Sequence, residues 1–191
     1  MHTLVKLVLV TLCGTFLATG TSAVAAADSP HLKNWTPPAQ KIYAQKLVDE
    51  LMAMHSELIS VTFHGIPPGQ TETYTMFAGS FPERIGNVDD PDDIDITKKG
   101  ITILDPRWHR LNDSVKKFVM MMPLRDSSGE NVGEIVLAYK NPPGSGKTEK
   151  DFFLASTALR DGLMKQIPSH VALFEPAKGQ SSDSQGTRPP R

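Results

Sequence analysis

Met122-Pro123-Leu124-Arg125-Asp126-Ser127-Ser128-Gly129-Glu130-Asn131-Val132-Gly133-Glu134-Ile135-Val136 is the stretch on which the fold of this sequence turns. Two apolar runs, Val115 to Leu124 and Val132 to Lys140, bracket the polar Arg125 to Glu130. Asp126-Ser127-Ser128-Gly129 has the chemistry of a turn: aspartate and serine side chains bond to nearby backbone, and glycine accepts positive φ. The segment predicts a β-hairpin, with Gly133 allowing its second strand to approach a neighbour closely. On the first strand Phe118, Met120, Met122 and Leu124 share one face.

Upstream of the hairpin, Ile101 to Leu104 reads as a strand, and Asp90 to Gly100 as a short helix before it. Asp90 caps that helix, Pro91 fits its first turn, Asp92 and Asp93 face its positive end, Lys98 and Lys99 its negative end, and Gly100 stops it. The acidic run does not make a calcium loop: counted from Asp93, the sixth and twelfth positions are Lys98 and Leu104, where glycine and glutamate are needed. Earlier still, Ile59 to Phe63 and Thr71 to Ala78 read as strands joined through Gly65-Ile66-Pro67-Pro68-Gly69. A first helix is announced by Thr36, Pro37 and Pro38 and by apolar Tyr43, Leu47, Leu51, Met54 and Leu58 at helical spacing. Downstream, Thr148 and Asp151 cap a last helix striped by Phe152, Ala155, Leu159 and Leu163, which Pro168 ends. Five strands with segregated helices predict an α+β domain on an antiparallel sheet.

The ends differ from this body. Lys6, the apolar Leu7 to Ala18, and the small Ala23, Ala25 and Ala27 have the layout of a secretory signal peptide, expected to be cut after Ala25 or Ala27. Thr11, Gly14 and Thr15 interrupt the run, which suits a signal better than a membrane span. Cys13 lies inside the run behind Leu12, which argues against lipid attachment, and the mature chain would contain no cysteine. The domains expected are a signal peptide over 1–27, a folded body over 36–175, and a disordered tail over 176–191, which lacks large apolar residues after Pro176. The product is expected to be periplasmic or secreted, with no membrane insertion after cleavage.

Composition narrows the function. The 191 residues are 39% hydrophobic and 21% charged, with a formal net charge of −1, which removes the electrostatic footprint of a nucleic-acid binder. One cysteine excludes a disulfide scaffold and a cysteine-rich zinc site. Gly144-Ser145-Gly146-Lys147-Thr148 resembles the end of a phosphate-binding loop, but Asn141-Pro142-Pro143 precedes it, and prolines offer no N–H groups to a phosphate. The six histidines form no HExxH motif, so no metal site or cofactor is expected.

The order of motifs resembles that of the Cache domains, PAS-like extracytoplasmic sensors. The likeness lies in Ile59-Ser60-Val61-Thr62-Phe63, in Tyr74 to Ser80, in Arg84-Ile85-Gly86, in Lys99-Gly100 and in Met122 to Val136, which is similar to the family's recurring hairpin. It implies a PAS-like five-stranded antiparallel sheet with a long N-terminal and a C-terminal helix. It further implies a non-catalytic small-molecule ligand held between the sheet and the segment bridging strands two and three. Family members usually belong to membrane receptors with an intracellular output domain. A chain with one removable signal and no such domain would act through a membrane receptor or signalling partner.

If strand two faces a ligand, Tyr74 and Met76 project from it together, Arg84 turns back over that face, Arg107 and Trp108 arrive from strand three, and Phe118 and Met120 form the floor. Arginine and tryptophan together suit a small carboxylate or amine. The alternative is that Tyr74, Phe118 and Met120 are ordinary core, that Arg84 pairs with Glu83 or Asp89, and that Trp108 covers a sheet edge. Two other functions remain open: a hydrolase using Ser80, His64 or His109 with an acid from Asp89 to Asp95, and a Met/His copper or haem carrier.

Overall fold

The computed structural model describes residues 32–104 and 115–177. Helix α1 (Tyr43–Met54) leads into β1 (Leu58–Gly65) and β2 (Thr75–Gly79). Helix α2 (Pro91–Lys99) follows, then β3 (Ile103–Leu104), β4 (Lys117–Arg125), β5 (Asn131–Lys140) and α3 (Glu149–Met164). The strands form one sheet in the order β2-β1-β5-β4-β3, and every pairing is antiparallel. This is the α+β, PAS-like arrangement expected from the sequence.

The hairpin of β4 and β5 forms as its turn residues dictate. Asp126 Oδ1 accepts from Ser128 N–H at 2.9 Å, Ser128 Oγ–H at 2.6 Å and Glu130 N–H at 3.1 Å, while Gly129 takes φ +89°. The Ser128 hydroxyl, ahead of the other donors, holds the Asp126 carboxyl below its usual range. Helix α2 has the predicted ends: Asp93 accepts the Asp90 N–H at 2.9 Å, and Gly100 is left-handed at φ +64°. Thr148 and Asp151 cap α3 reciprocally, so the glycine-rich run before them is a helix lead-in.

Helix α1 starts later than the sequence suggested, at Tyr43 rather than just after Thr36. Prolines at 37 and 38 bias the residues before them away from helix, and the chain there pairs elsewhere. Ile42 bridges Pro176, Tyr43 N–H donates to Glu175 O at 2.8 Å, and Ala177 N–H donates to Lys41 O at 2.8 Å. Two residues of the expected tail thus belong to the folded body; 178–191 lie outside the described residues, as does the expected signal segment.

Helices α1 and α3 share one face of the sheet, where the main core lies. Leu47, Val48 and Leu51 of α1 and Phe152 and Leu163 of α3 meet Val61, Phe63, Met120, Met122, Ile135 and Leu137 there. Phe152 stacks on Phe118 with centroids 4.5 Å apart and lies 5.4 Å from Tyr139. The opposite face carries a smaller cluster, in which Ile96 of α2 packs on Val119, Met121 and Ala138.

Candidate functional site

The second face positions the candidate site. Alternation along β1 turns Ser60, Thr62 and His64 to that side, and β4 contributes Lys117, Val119 and Met121. A cavity of ≈ 190 Å³ lies there, bounded by the sheet and by Phe81, Arg84, Asp90 and Asp93 of the chain between β2 and β3. An enclosed space of about 150 Å³ is enough for a benzene ring, so the cavity is of small-molecule size.

Of the residues the sequence singled out, Met76 and Arg84 line this cavity. Arg84 sits on the 3-10 turn Pro82–Arg84, with its guanidinium 5.7 Å from the Phe81 ring centroid. Its Nε is buried without a hydrogen-bond partner, and Asp89, one acid suggested for it, pairs with His64 instead. Tyr74 precedes β2 and is not part of the lining; Lys98 of α2 lies 5.0 Å from its ring centroid. Phe118 and Met120 require a correction. They face α3 and α1 in the main core, and the sheet residues beneath the cavity are their neighbours Lys117, Val119 and Met121. Arg107, Trp108 and His109 lie outside the described residues.

A polar cluster adjoins the cavity floor. His64 on β1 and Glu134 on β5 are directly opposed across the ladder, and Asp89 and Asp93 come from the start of the α2 segment. His64 Nδ1 lies 2.8 Å from Asp89 Oδ1 and 3.8 Å from Asp93 Oδ2, while Nε2 meets the Thr62 hydroxyl at 2.8 Å. Burial works against an imidazolium here, but the charge of Asp89 and its hydrogen bond, with Asp93 and Glu134 behind, push the His64 pKa up to about 9. Asp89 is raised by burial, which the attraction of His64 only partly offsets. Glu134 is 0% exposed, and the group within reach of its carboxyl is a second acid, Asp93, in place of an N–H or O–H donor. Burial first, then the negative charges of Asp93 and Asp89, outweigh the pull of His64 and hold Glu134 well above its usual value.

Sequence reasoning grouped His64 with an acid from Asp89 to Asp95, which the structure brings together, but it did not reach Glu134. The one local signal was an acid at position 134 inside the apolar run Val132 to Ala138, on a strand otherwise built for burial. Ser80, the candidate nucleophile, accepts the Val61 N–H through Oγ at 3.2 Å and returns its own N–H to Val61 O at 2.9 Å. With both His64 nitrogens engaged by Asp89 and Thr62, these bonds do not form a serine–histidine relay.

No family model matches this chain, and no curated protein matches it. Solved structures of similar course include a free methionine-R-sulfoxide reductase from Thermoplasma acidophilum, at 16% identity and TM-score 0.39, covering 64% of this chain and 90% of that one. The inducer-binding domain of PobR from Acinetobacter, solved with 3-hydroxybenzoic acid, matches at 12% identity and TM-score 0.39, covering 65% and 97%. The blue-light-activated histidine kinase EL346 of Erythrobacter litoralis matches at 14% and TM-score 0.39, covering 62% of this chain and 46% of the kinase. Likeness of this degree assigns no activity.

Proposed function

We propose that the chain is a non-catalytic, small-molecule-binding sensory module of Cache type, exported to the periplasm or medium and acting through a partner protein. The observation that carries the reading is the cavity between the sheet and the β2–α2 segment, with Arg84 in its lining and the Arg84 Nε buried without a partner. A buried cationic donor without an acceptor is costly, and an anionic ligand relieves that cost. Apolar Met76, Val119 and Met121 beside it suit the body of a small organic carboxylate. The signal-peptide layout supports export, and among the described residues no helix is long and apolar enough to cross a membrane.

A thermal-shift screen against small aromatic and aliphatic carboxylates is expected to find saturable stabilisation without turnover, because a ligand that binds only the native state raises its melting temperature. Arg84→Ala should then weaken the best hit at least about tenfold, or about 1.4 kcal/mol, with the melting temperature of the free protein close to wild type. No stabilising compound, or equal affinity in the variant, would refute the pocket. Export has a separate readout: intact mass of the secreted or periplasmic product should place its N-terminus near Ala26 or Asp28. A product retaining Met1 would refute it.

A further inference from the structure

Three carboxyl groups and one imidazole are gathered on the face beneath α2, and the fold gives them too few partners. Glu134 has lost its water on folding and received no donor at either oxygen; Asp89 Oδ2 is buried without one as well. Burying a carboxyl without a donor costs free energy even when the group is held neutral, and a strand position as central as 134 is open to an apolar residue at no such cost. One imidazole faces three carboxyl groups, which leaves the cluster room for a further positive charge.

The geometry points to a divalent transition-metal ion, Zn²⁺ or Mn²⁺, bound by His64, Asp93 and Glu134. Each offers one ligand atom, and the three atoms lie within 4.8 Å of one another, which a modest contraction turns into a coordination shell. The residues come from β1, α2 and β5, so the site forms only in the folded chain. Asp93 spends Oδ2 on the Asp90 N–H. Both ring nitrogens of His64 are engaged, Nε2 with Thr62 and Nδ1 with Asp89, so one of these bonds must give way to the ion while the other orients the ring. Asp89 is thus a positioning residue or a further ligand.

The donor set selects the ion. Imidazole with carboxylate oxygens suits Mn²⁺ or Zn²⁺, whereas Mg²⁺ and Ca²⁺ prefer oxygen alone and Cu(I) prefers sulfur. The site is separate from the calcium loop that the acidic run Asp89 to Asp93 could have suggested, because two of its three ligands lie on sheet strands. It does not depend on the carboxylate reading of the cavity.

The test is isothermal titration of chelator-treated full chain with ZnCl₂ and MnCl₂, with MgCl₂ and CaCl₂ in parallel, alongside melting curves. Saturable one-to-one binding of Zn²⁺ or Mn²⁺ with a raised melting temperature is expected. Glu134→Gln and, independently, Asp93→Asn should each weaken it at least about tenfold, within the 10–100-fold losses seen even for outer-shell changes. Metal-free Glu134→Gln should melt no lower than wild type, since an amide removes a buried carboxyl, so its loss of binding would not be a loss of fold. Asp92→Asn, at the helix start but outside the three ligands, should bind as wild type does. Absence of saturable binding in wild type overturns the site. So does binding that survives Glu134→Gln and Asp93→Asn, or is abolished by Asp92→Asn, since the ion would then sit on the exposed acids of α2.

Discussion

Gly133→Ala is expected to lower stability by about 3 kcal/mol or more, combining backbone strain with a steric clash, each costing roughly 1–3 kcal/mol. Gly133 has φ +143°, and a Cβ there would lie 2.4 Å from the His64 carbonyl oxygen. That oxygen belongs to β1, the neighbouring strand of the ladder, and cannot swing aside as a flexible side chain could. Gly129 is the internal comparison. It has φ +89° with open space around it, so Gly129→Ala should cost only the left-handed strain of about 1–2 kcal/mol. Urea titrations of both variants measure the difference. Equal losses would mean that β1 and β5 yield at this point, and with them the spacing of His64 and Glu134.

Phe152→Ala should cost about 3–5 kcal/mol, the range for truncating a buried aromatic. Its ring is 1% exposed, stacked on Phe118 and tilted against Tyr139, so removal leaves a void between α3 and the sheet. Because this core lies on the face opposite the cavity, the affinity of the remaining folded protein for a cavity ligand should stay within about threefold of wild type, the loss being one of stability and not of contacts. Denaturant midpoints and ligand titration separate the two effects. A loss below about 1 kcal/mol would contradict the packing, and a large fall in affinity would contradict the separation of the faces.

Much of the fold was legible because it is written in local chemistry. The Asp126 turn, the Asp90–Pro91 start and Gly100 stop of α2, and the Thr148–Asp151 cap each depend on residues within a few positions of one another. Gly133 was legible too, as a glycine placed for close strand approach. The face of β4 was left open between pocket floor and ordinary core. Six consecutive residues, Val119 to Leu124, are buried, so polarity does not alternate along the strand. Periodicity grouped Phe118 with Met120 correctly, but which face meets the helices is decided by α1 and α3, far away in the chain. Glu134 escaped for the same reason: it meets His64 through the β1–β5 ladder across 70 positions of sequence. No spacing rule spans such a gap.

The two ends of the sheet carry a consequence for how copies of this protein meet. A sheet with an open margin can accept a strand from another molecule and propagate into fibres. The outer margin of β2 is already occupied by its own chain: Met76 N–H donates to Asn87 O at 3.1 Å, Gly86 N–H donates to Met76 O at 2.8 Å, and Thr75 bridges Val88. At the other end, β3 comprises only Ile103 and Leu104 among the described residues, too short a template for stable strand addition. Among the described residues the sheet therefore offers another molecule no free β2 margin and only a two-residue β3, so separate molecules are favoured over strand-by-strand assembly while the cavity stays on one face.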